Sequence, residues 1–145
     1  MVLDDETESR IVEKVEYIEQ AVTVLSRKQS LALSEYLADR EQQAIVEREF
    51  QTALEACIDI AELLLKPFSG TVPETNAEKF ARLGQIDILS PDTAKAMQEA
   101  ARFRNVLAHT YGFDLDNEQI YRHLQSDLHW FPTFLTEVRA TLTDD

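Results

Sequence analysis

Apolar residues recur every three or four positions along most of the chain, the spacing that places them on one face of an α-helix. The first such stripe comprises Ile11, Val15, Ile18, Val22 and Leu25. Acidic residues crowd the start of this segment, and Arg27 and Lys28 follow its end. These charges complement the positive N-terminus and negative C-terminus of a helix dipole. The pattern therefore predicts a long amphipathic first helix.

A second long helix is predicted over residues 40–66, after a shorter helical segment at residues 31–38. Its broad apolar face contains Phe50, Ala53, Leu54, Cys57, Ile58, Ala61, Leu64 and Leu65. Pro67 and Gly70 interrupt the pattern, because proline breaks a helix interior and glycine marks helix ends. Residues 67–74 are therefore predicted to form a loop.

The chain after residue 75 carries clear start and stop signals for helices. A short helix is predicted over residues 76–83, ended by Gly84. Ser90 followed by Pro91 predicts another helix start, because serine caps the first turn and proline suits the first helical position. The helix that follows is predicted to run to about His109.

The last helix is predicted to begin at Asp116, which is placed to cap it, and to bend at Pro132. Its apolar face comprises Ile120, Leu124, Leu128, Phe131, Leu135, Val138 and Leu142. Gly112, just past the preceding helix, is expected to adopt a left-handed backbone. Four long helices and one or two short ones predict an all-α, up-down four-helix bundle, with residues 1–145 as a single domain.

The composition supports this fold class and a location in the cytoplasm. Three glycines and four prolines among 145 residues leave few turns for an all-β fold. A single cysteine excludes an internal disulfide and suits a reducing compartment. The longest apolar stretch, residues 58–65, contains Asp59 and Glu62, so we expect no membrane-spanning segment and no membrane partner.

The net charge of −13 opposes binding to nucleic acid over the molecule as a whole. One interpretation is a solvated acidic surface, as in a protein adapted to a salty cytosol, where charges are strongly screened. The other is an acidic face that receives a basic partner. Neither interpretation excludes a local basic site, because the nearest charges dominate the potential there.

The most informative segment is Arg-Asn-Val-Leu-Ala-His-Thr-Tyr at residues 104–111, the end of a predicted helix. It places Arg104, Asn105, His109 and Tyr111 within eight residues. A guanidinium grips phosphate with paired hydrogen bonds, and an imidazole transfers protons near neutral pH. This combination is typical of catalysis on a phosphodiester.

Helical spacing constrains how these side chains can meet. Arg104 shares a stripe with Met97, Ala101 and Ala108, so it must find a partner for its charge. Arg104 and His109 differ by five positions and point roughly 140° apart around an ideal helix. They can converge on one ligand only if the helix ends near His109 or if a second copy faces this one. The spacing favours a dimeric site.

A purely structural interpretation of these residues is also open. Arg104 could pair with a buried carboxylate such as Asp59, and His109 could cap the helix C-terminus. Asp59 interrupts an apolar face. It could either pair with Arg104 or take a direct part in the site, and the sequence does not distinguish these alternatives.

The other reactive side chains carry weaker signals. Cys57 and the pair Trp130 and Phe131 are expected in the core. His123 and His129 lack metal-ligand spacing, so neither a metal nor another cofactor is expected.

Arg104-Asn105, Ala108-His109 and Tyr111 resemble the R-x4-H-x-Y signature of the HepT-like toxins in the HEPN superfamily. The resemblance extends through residues 49–61, 86–89 and 121–124 and so covers nearly the whole chain. It implies a helical bundle that forms a homodimer with its motif helices facing each other, and a metal-independent ribonuclease toxin. It also implies a partner, a small MntA-type nucleotidyltransferase antitoxin that attaches AMP to the motif tyrosine, here Tyr111.

For such a ribonuclease, the chemistry of these side chains suggests a role for each residue in cleaving mRNA or tRNA through attack of the ribose 2′-OH. Arg104 would bind the phosphate, His109 would transfer the proton, and Asn105 and Asp59 would support them. Two other hypotheses stay open. In the first, the protein is a non-catalytic module that binds a nucleotide or a partner and acts with a nucleotidyltransferase. In the second, it is a helical dimer with an architectural role.

Overall fold

Seven α-helices build the part of the chain that the computed structural model describes, residues 3–68 and 72–143. The four long helices are α1 (Asp5–Lys28), α3 (Arg40–Leu65), α5 (Pro91–His109) and α7 (Trp130–Thr143). The three short ones are α2 (Leu33–Ala38), α4 (Asn76–Gln85) and α6 (Asn117–Ser126). Short 3₁₀ turns follow α3, at Lys66–Phe68, and α5, at Gly112–Asp114.

The long helices pack as an up-down bundle in the ring order α1, α3, α5 and α7. Lys14 of α1 lies 3.5 Å from Asp59, and Tyr17 bonds to Thr52 at 2.8 Å. The later residue of α1 contacts the earlier residue of α3, so these two helices are antiparallel. The predicted all-α, up-down bundle is confirmed, with three short helices instead of one or two.

Aromatic rings fill the centre of the bundle. Phe50 of α3 meets Phe103 of α5 edge-on at 5.1 Å between ring centroids and lies 6.3 Å from Phe131 of α7, geometries that aromatic pairs prefer. Trp130 and Cys57 are also buried, and burial raises the pKa of the Cys57 thiol. The predicted core positions of Cys57, Trp130 and Phe131 are therefore confirmed.

The prediction of a single last helix from Asp116 onward is wrong. The chain forms α6 and α7, separated by residues 127–129. A proline ring clashes with the carbonyl four residues earlier, here that of Leu128. Helix α7 therefore begins at Trp130, which leaves Pro132 in the first turn, where no intrahelical N–H bond is required. The apolar spacing continues across the break because both helices face the same core.

Gly84 does not end the short fourth helix, contrary to the prediction. Helix α4 continues to Gln85, and the left-handed residue after it is Asp87, with φ of 62°. A Cβ on Gly84 would lie 2.8 Å from the Cβ of Ala94, so Gly84 lets α4 and α5 approach closely. The left-handed backbone predicted at Gly112 is confirmed by its φ of 67°.

The predicted loop over residues 67–74 is only partly described. Pro67 lies in the 3₁₀ turn that follows α3, whereas Ser69 and Gly70 fall outside the described residues. None of the helices in residues 3–68 and 72–143 combines the length and apolar character that crossing a bilayer requires.

Candidate functional site

Helix α5 holds the motif in its last two turns and is fixed firmly at its start. Ser90 caps it by accepting the Thr93 N–H at 3.2 Å, and Pro91 occupies the first turn. Glu137 of α7 accepts the Ser90 N–H at 2.5 Å. At the far end, Thr110 is extended and its N–H bonds to the Val106 carbonyl at 3.0 Å. The helix therefore stops directly after His109, as predicted.

The Arg104 side chain extends from α5 to α3, and 24% of it is exposed. One Nη donates to Oε1 of Glu55 at 3.2 Å, and the other donates to Oδ1 of Asn105 at 3.4 Å. Its Nε is buried and makes no hydrogen bond within the described residues. The guanidinium is therefore oriented by one ion pair and keeps donor capacity for a further acceptor.

Arg104 pairs with Glu55 and not with Asp59, the carboxylate proposed from the sequence. Asp59 does not interrupt the apolar face of α3, because half of its side chain is exposed and it faces Lys14 of α1. Glu55 precedes Asp59 by four positions, so the two carboxylates stand one above the other on α3. The register of α5 against α3 decides which of them meets the guanidinium.

Arg104 and Asp59 nevertheless line the same open cleft, of about 460 Å³. The complete lining is Glu55, Ile58, Asp59, Glu62, Asn76 and Arg104. Lys79 of α4 lies beside it, nearly buried, with its Nζ 2.5 Å from Glu62 and 3.0 Å from Oδ1 of Asn76. The cleft thus contains one guanidinium among three carboxylates, of which Lys79 balances Glu62 and Lys14 balances Asp59.

The structure of one chain does not bring His109 or Tyr111 to this cleft. Both side chains are exposed, Tyr111 to 86%. His109 is still helical, so it points about 140° away from Arg104 and lies about 7.5 Å further along the axis. Val106, which lies between Arg104 and His109 in the sequence, is also exposed. Arg104 therefore contacts Asn105 and shares the cleft with Asp59, whereas His109 and Tyr111 lie outside it.

Sequence reasoning missed three residues around these groups. Glu55 was detectable only as a carboxylate one turn before Asp59, and nothing in the sequence distinguished Lys79 from other surface lysines. Phe113 follows the motif and is fully exposed, which hydropathy alone does not predict. Within residues 3–68 and 72–143, no group of three or more His, Cys, Asp or Glu side chains is arranged to hold a metal ion.

This chain is similar to known proteins both in sequence and in fold. The model of the family described as "Ribonuclease HepT-like" matches residues 11–138. The chain is 32% identical over 129 residues to the tRNA nuclease HepT of Aphanizomenon flos-aquae, covering 89% of this chain and 87% of that protein.

Solved structures share the fold at lower sequence identity. A tri-AMPylated HEPN toxin from Shewanella oneidensis, in complex with its MNT antitoxin, superposes with a TM-score of 0.80 at 22% identity. That match covers 95% of this chain and 99% of the toxin. A toxin–antitoxin structure with AMP-PNP gives a TM-score of 0.82 at 21% identity, covering 91% of this chain and 98% of the matched one. With the family match over residues 11–138, these relationships show that the chain belongs to the HepT-like ribonuclease family and has the HEPN toxin fold.

Proposed function

We propose that this protein is the ribonuclease toxin of a toxin–antitoxin pair, and that it cleaves mRNA or tRNA without a metal ion. The observation that carries the proposal is the placement of Arg104, Asn105, His109 and Tyr111. They occupy the last turns of α5 and the segment directly after it, at the R-x4-H-x-Y positions, in a chain whose family match spans residues 11–138. The 32% identical relative is itself a tRNA nuclease.

The reaction follows from the side chains available. The ribose 2′ oxygen attacks the neighbouring phosphorus and the bond to the 5′ oxygen breaks, leaving a cyclic phosphate and a free 5′ hydroxyl. His109 takes the proton from the 2′ hydroxyl or gives one to the 5′ oxygen, with water completing the other transfer. Arg104 stabilises the charge that builds on the phosphate oxygens, and Asn105 orients the imidazole or donates to the phosphate.

The active assembly is a homodimer with facing α5 helices. In one chain, Arg104 and His109 diverge by about 140° around the helix, so they cannot grip the same phosphate. A second copy related by a two-fold axis places His109 of one subunit opposite Arg104 of the other. Val106 is exposed and lies about 60° from His109 around α5, so it supplies apolar surface for such an interface. Asp59 supports the site from the cleft that it shares with Arg104.

The partner is a nucleotidyltransferase antitoxin of the MntA type that transfers AMP to Tyr111. The Tyr111 side chain is 86% exposed, so its hydroxyl is open to a modifying enzyme. An added phosphate would place negative charge two residues from His109 and repel the RNA phosphates. We place this pair in the cytoplasm. The net charge of −13 then reflects either a solvated acidic surface or an acidic face that binds a basic partner.

A second function is favoured by the charges around Arg104. The guanidinium is already paired with Glu55, and Asp59 and Glu62 line the same cleft. These carboxylates oppose the negative charge that builds on a reacting phosphate, so the site would hold a nucleotide or a partner without cleaving RNA. In that case the protein would act chiefly as the substrate of its nucleotidyltransferase.

Incubation of the purified protein with total RNA and with tRNA in EDTA separates the two functions. We expect cleavage by the wild type and a loss of about 10²- to 10⁴-fold in the rate for His109→Ala, because a general acid–base is removed. His129→Ala is the matched control, since His129 is exposed and lies near the start of α7. Undiminished cleavage by a dimeric His109→Ala protein would remove the assignment, and binding without cleavage would support the second function.

A further inference from the structure

A groove lies beside the motif, between the start of α3 and the segment that follows α5. It has a volume of about 730 Å³, within the range of small-ligand sites. We call it the Phe113 groove, and its apolar lining consists of Leu37, Ala38, Ala44, Gly112, Phe113 and Leu115. Its polar lining consists of Arg40, Gln43, Glu47 and Asn117.

One aromatic ring of this groove stands in solvent, and a second exposed ring lies two residues before it in the chain. Phe113 is fully exposed, and Tyr111 is almost so. The segment is held by the left-handed Gly112 and by a hydrogen bond from the Leu115 N–H to the Gly112 carbonyl at 3.3 Å. A phenylalanine ring left wholly in water offers both faces for stacking, and burial of such a ring by a ligand is favourable.

The amides in the groove have unused hydrogen-bonding capacity. Nε2 of Gln43 donates to the carbonyls of Tyr36 at 2.9 Å and Leu37 at 3.2 Å, which fixes the side chain. Its Oε1 accepts from Asn117 at 3.4 Å, a long bond, and Oδ1 of Asn117 is buried and has no partner among the described residues. The Asn117 amide therefore loses little by turning towards a ligand.

An exposed ring, apolar lining residues and an amide with an unpaired oxygen together match the requirements of a nucleobase, which stacks on aromatics and hydrogen-bonds through its edge. We infer that the Phe113 groove binds one unpaired nucleobase of the RNA substrate, with Phe113 stacking on the base and Asn117 bonding its edge. The inference rests on the proposed ribonuclease function. Phe113 lies four residues after His109, at most about 14 Å of extended chain, so the base belongs to a nucleotide near the cleaved bond.

The charge of the protein favours contacts to the bases of an RNA over contacts to its phosphates. With a net charge of −13, long-range attraction to the phosphate backbone is absent. Glu47 adds a carboxylate inside the groove, balanced there only by Arg40 among the lining residues. The groove therefore suits the uncharged base, while the phosphates remain outside.

The test measures binding of single-stranded oligoribonucleotides in which 2-aminopurine is moved from position to position. It uses His109→Ala protein, which prevents cleavage. We expect fluorescence quenching at one position through stacking, and affinity about 5- to 100-fold lower when Phe113→Ala is added, since one stacked base is lost. Phe113→Trp should retain both signals. Ala44→Trp, at an exposed position in the groove, should fill the site and weaken binding while Phe113 stays intact.

Phe68→Ala is the matched control, because Phe68 is half-exposed and follows the opposite end of α3, about 40 Å from Arg40 along the helix axis. Equal RNA affinity for Phe113→Ala and Phe68→Ala would overturn the inference even if wild-type protein cleaves RNA. A shift from dimer to monomer on Phe113→Ala, seen by sedimentation, would also overturn it, since the ring would then contact a second copy. Phe113-dependent binding by a wild type that does not cleave would uphold the groove and remove the ribonuclease proposal.

Discussion

Arg104 on α5 donates a hydrogen bond to Glu55 on α3 at 3.2 Å, across the cleft in which a substrate phosphate is proposed to bind. The same contact both orients the guanidinium and supplies an anion that competes with the phosphate. Because the pair is partly exposed to solvent, its strength is modest and a phosphate can displace it.

Glu55→Gln is therefore expected to lower KM for RNA by about two- to fivefold, the range of an exposed ion pair. The glutamine oxygen still accepts from Arg104, so kcat should change little. Steady-state cleavage of a short RNA measures both constants. Glu16→Gln, at an exposed position on α1, removes the same charge away from the cleft and controls for the change in net charge. A higher KM for Glu55→Gln would mean that Glu55 acts chiefly as an anchor for Arg104.

Site complementation tests whether the two halves of the motif come from different subunits. Arg104→Ala and His109→Ala should each be inactive alone. If each site combines Arg104 of one subunit with His109 of the other, an equimolar, fully exchanged mixture has one intact site in half of its dimers. That mixture should regain about a quarter of wild-type activity.

A mixture that stays inactive, while mass spectrometry shows that subunits have exchanged, would place both side chains of a working site in one chain. It would then require a rearrangement of the end of α5 to bring them together.

The helices and their caps could be predicted where the signal is local. Ser90 and Pro91 define the start of α5 without any knowledge of its neighbours, and the apolar stripe of α1 is regular. The break between α6 and α7 was missed because Pro132 reads equally well as a bend within a helix or as a first-turn residue. Only the fit of both helices to one core distinguishes these possibilities.

The candidate site was harder to predict because its contacts depend on register between helices. Glu55 and Asp59 are equivalent in sequence, one turn apart on α3. Which one meets Arg104 is set by how far α5 has slid along α3, and the aromatic contact of Phe50 with Phe103 helps to fix that position. The exposure of Phe113 depends likewise on the path of the chain after Gly112.

Glu137 is expected to stabilise the fold by capping α5 from α7. It accepts the Ser90 N–H at 2.5 Å and also bonds the hydroxyls of Ser90 and Thr93. Glu137→Ala leaves these donors without that acceptor and should cost about 1–2 kcal/mol. Urea unfolding should show a lower midpoint with an unchanged slope. Glu99→Ala, at an exposed position on α5, should change stability by less than about 0.5 kcal/mol.

Gly84→Ala tests the close approach of α4 and α5. The new Cβ would lie 2.8 Å from that of Ala94, and overpacking of this kind costs about 1–3 kcal/mol. The better helix propensity of alanine offsets about 1 kcal/mol of that loss. We expect Gly84→Ala to lower thermal stability. The loss that it causes should be smaller in an Ala94→Gly background, because the Cβ with which it clashes is absent there. Purely additive effects in this double-mutant cycle would show that the helices move apart at no cost.

Glu47 should make stability depend on pH in the direction opposite to an ordinary ion-paired carboxylate. Burial raises the pKa of its carboxyl above the usual 4.5, so the charged form is disfavoured in the folded state. Its contribution to stability is present below the unfolded pKa and is lost as pH rises through the folded pKa. Glu47→Gln should therefore raise Tm at pH 7, and the gain should vanish below about pH 4. Glu16→Gln, at an exposed position on α1, provides the control. A Tm gain for Glu47→Gln that persists unchanged at pH 3.5 would assign the effect to packing of the amide and not to ionisation.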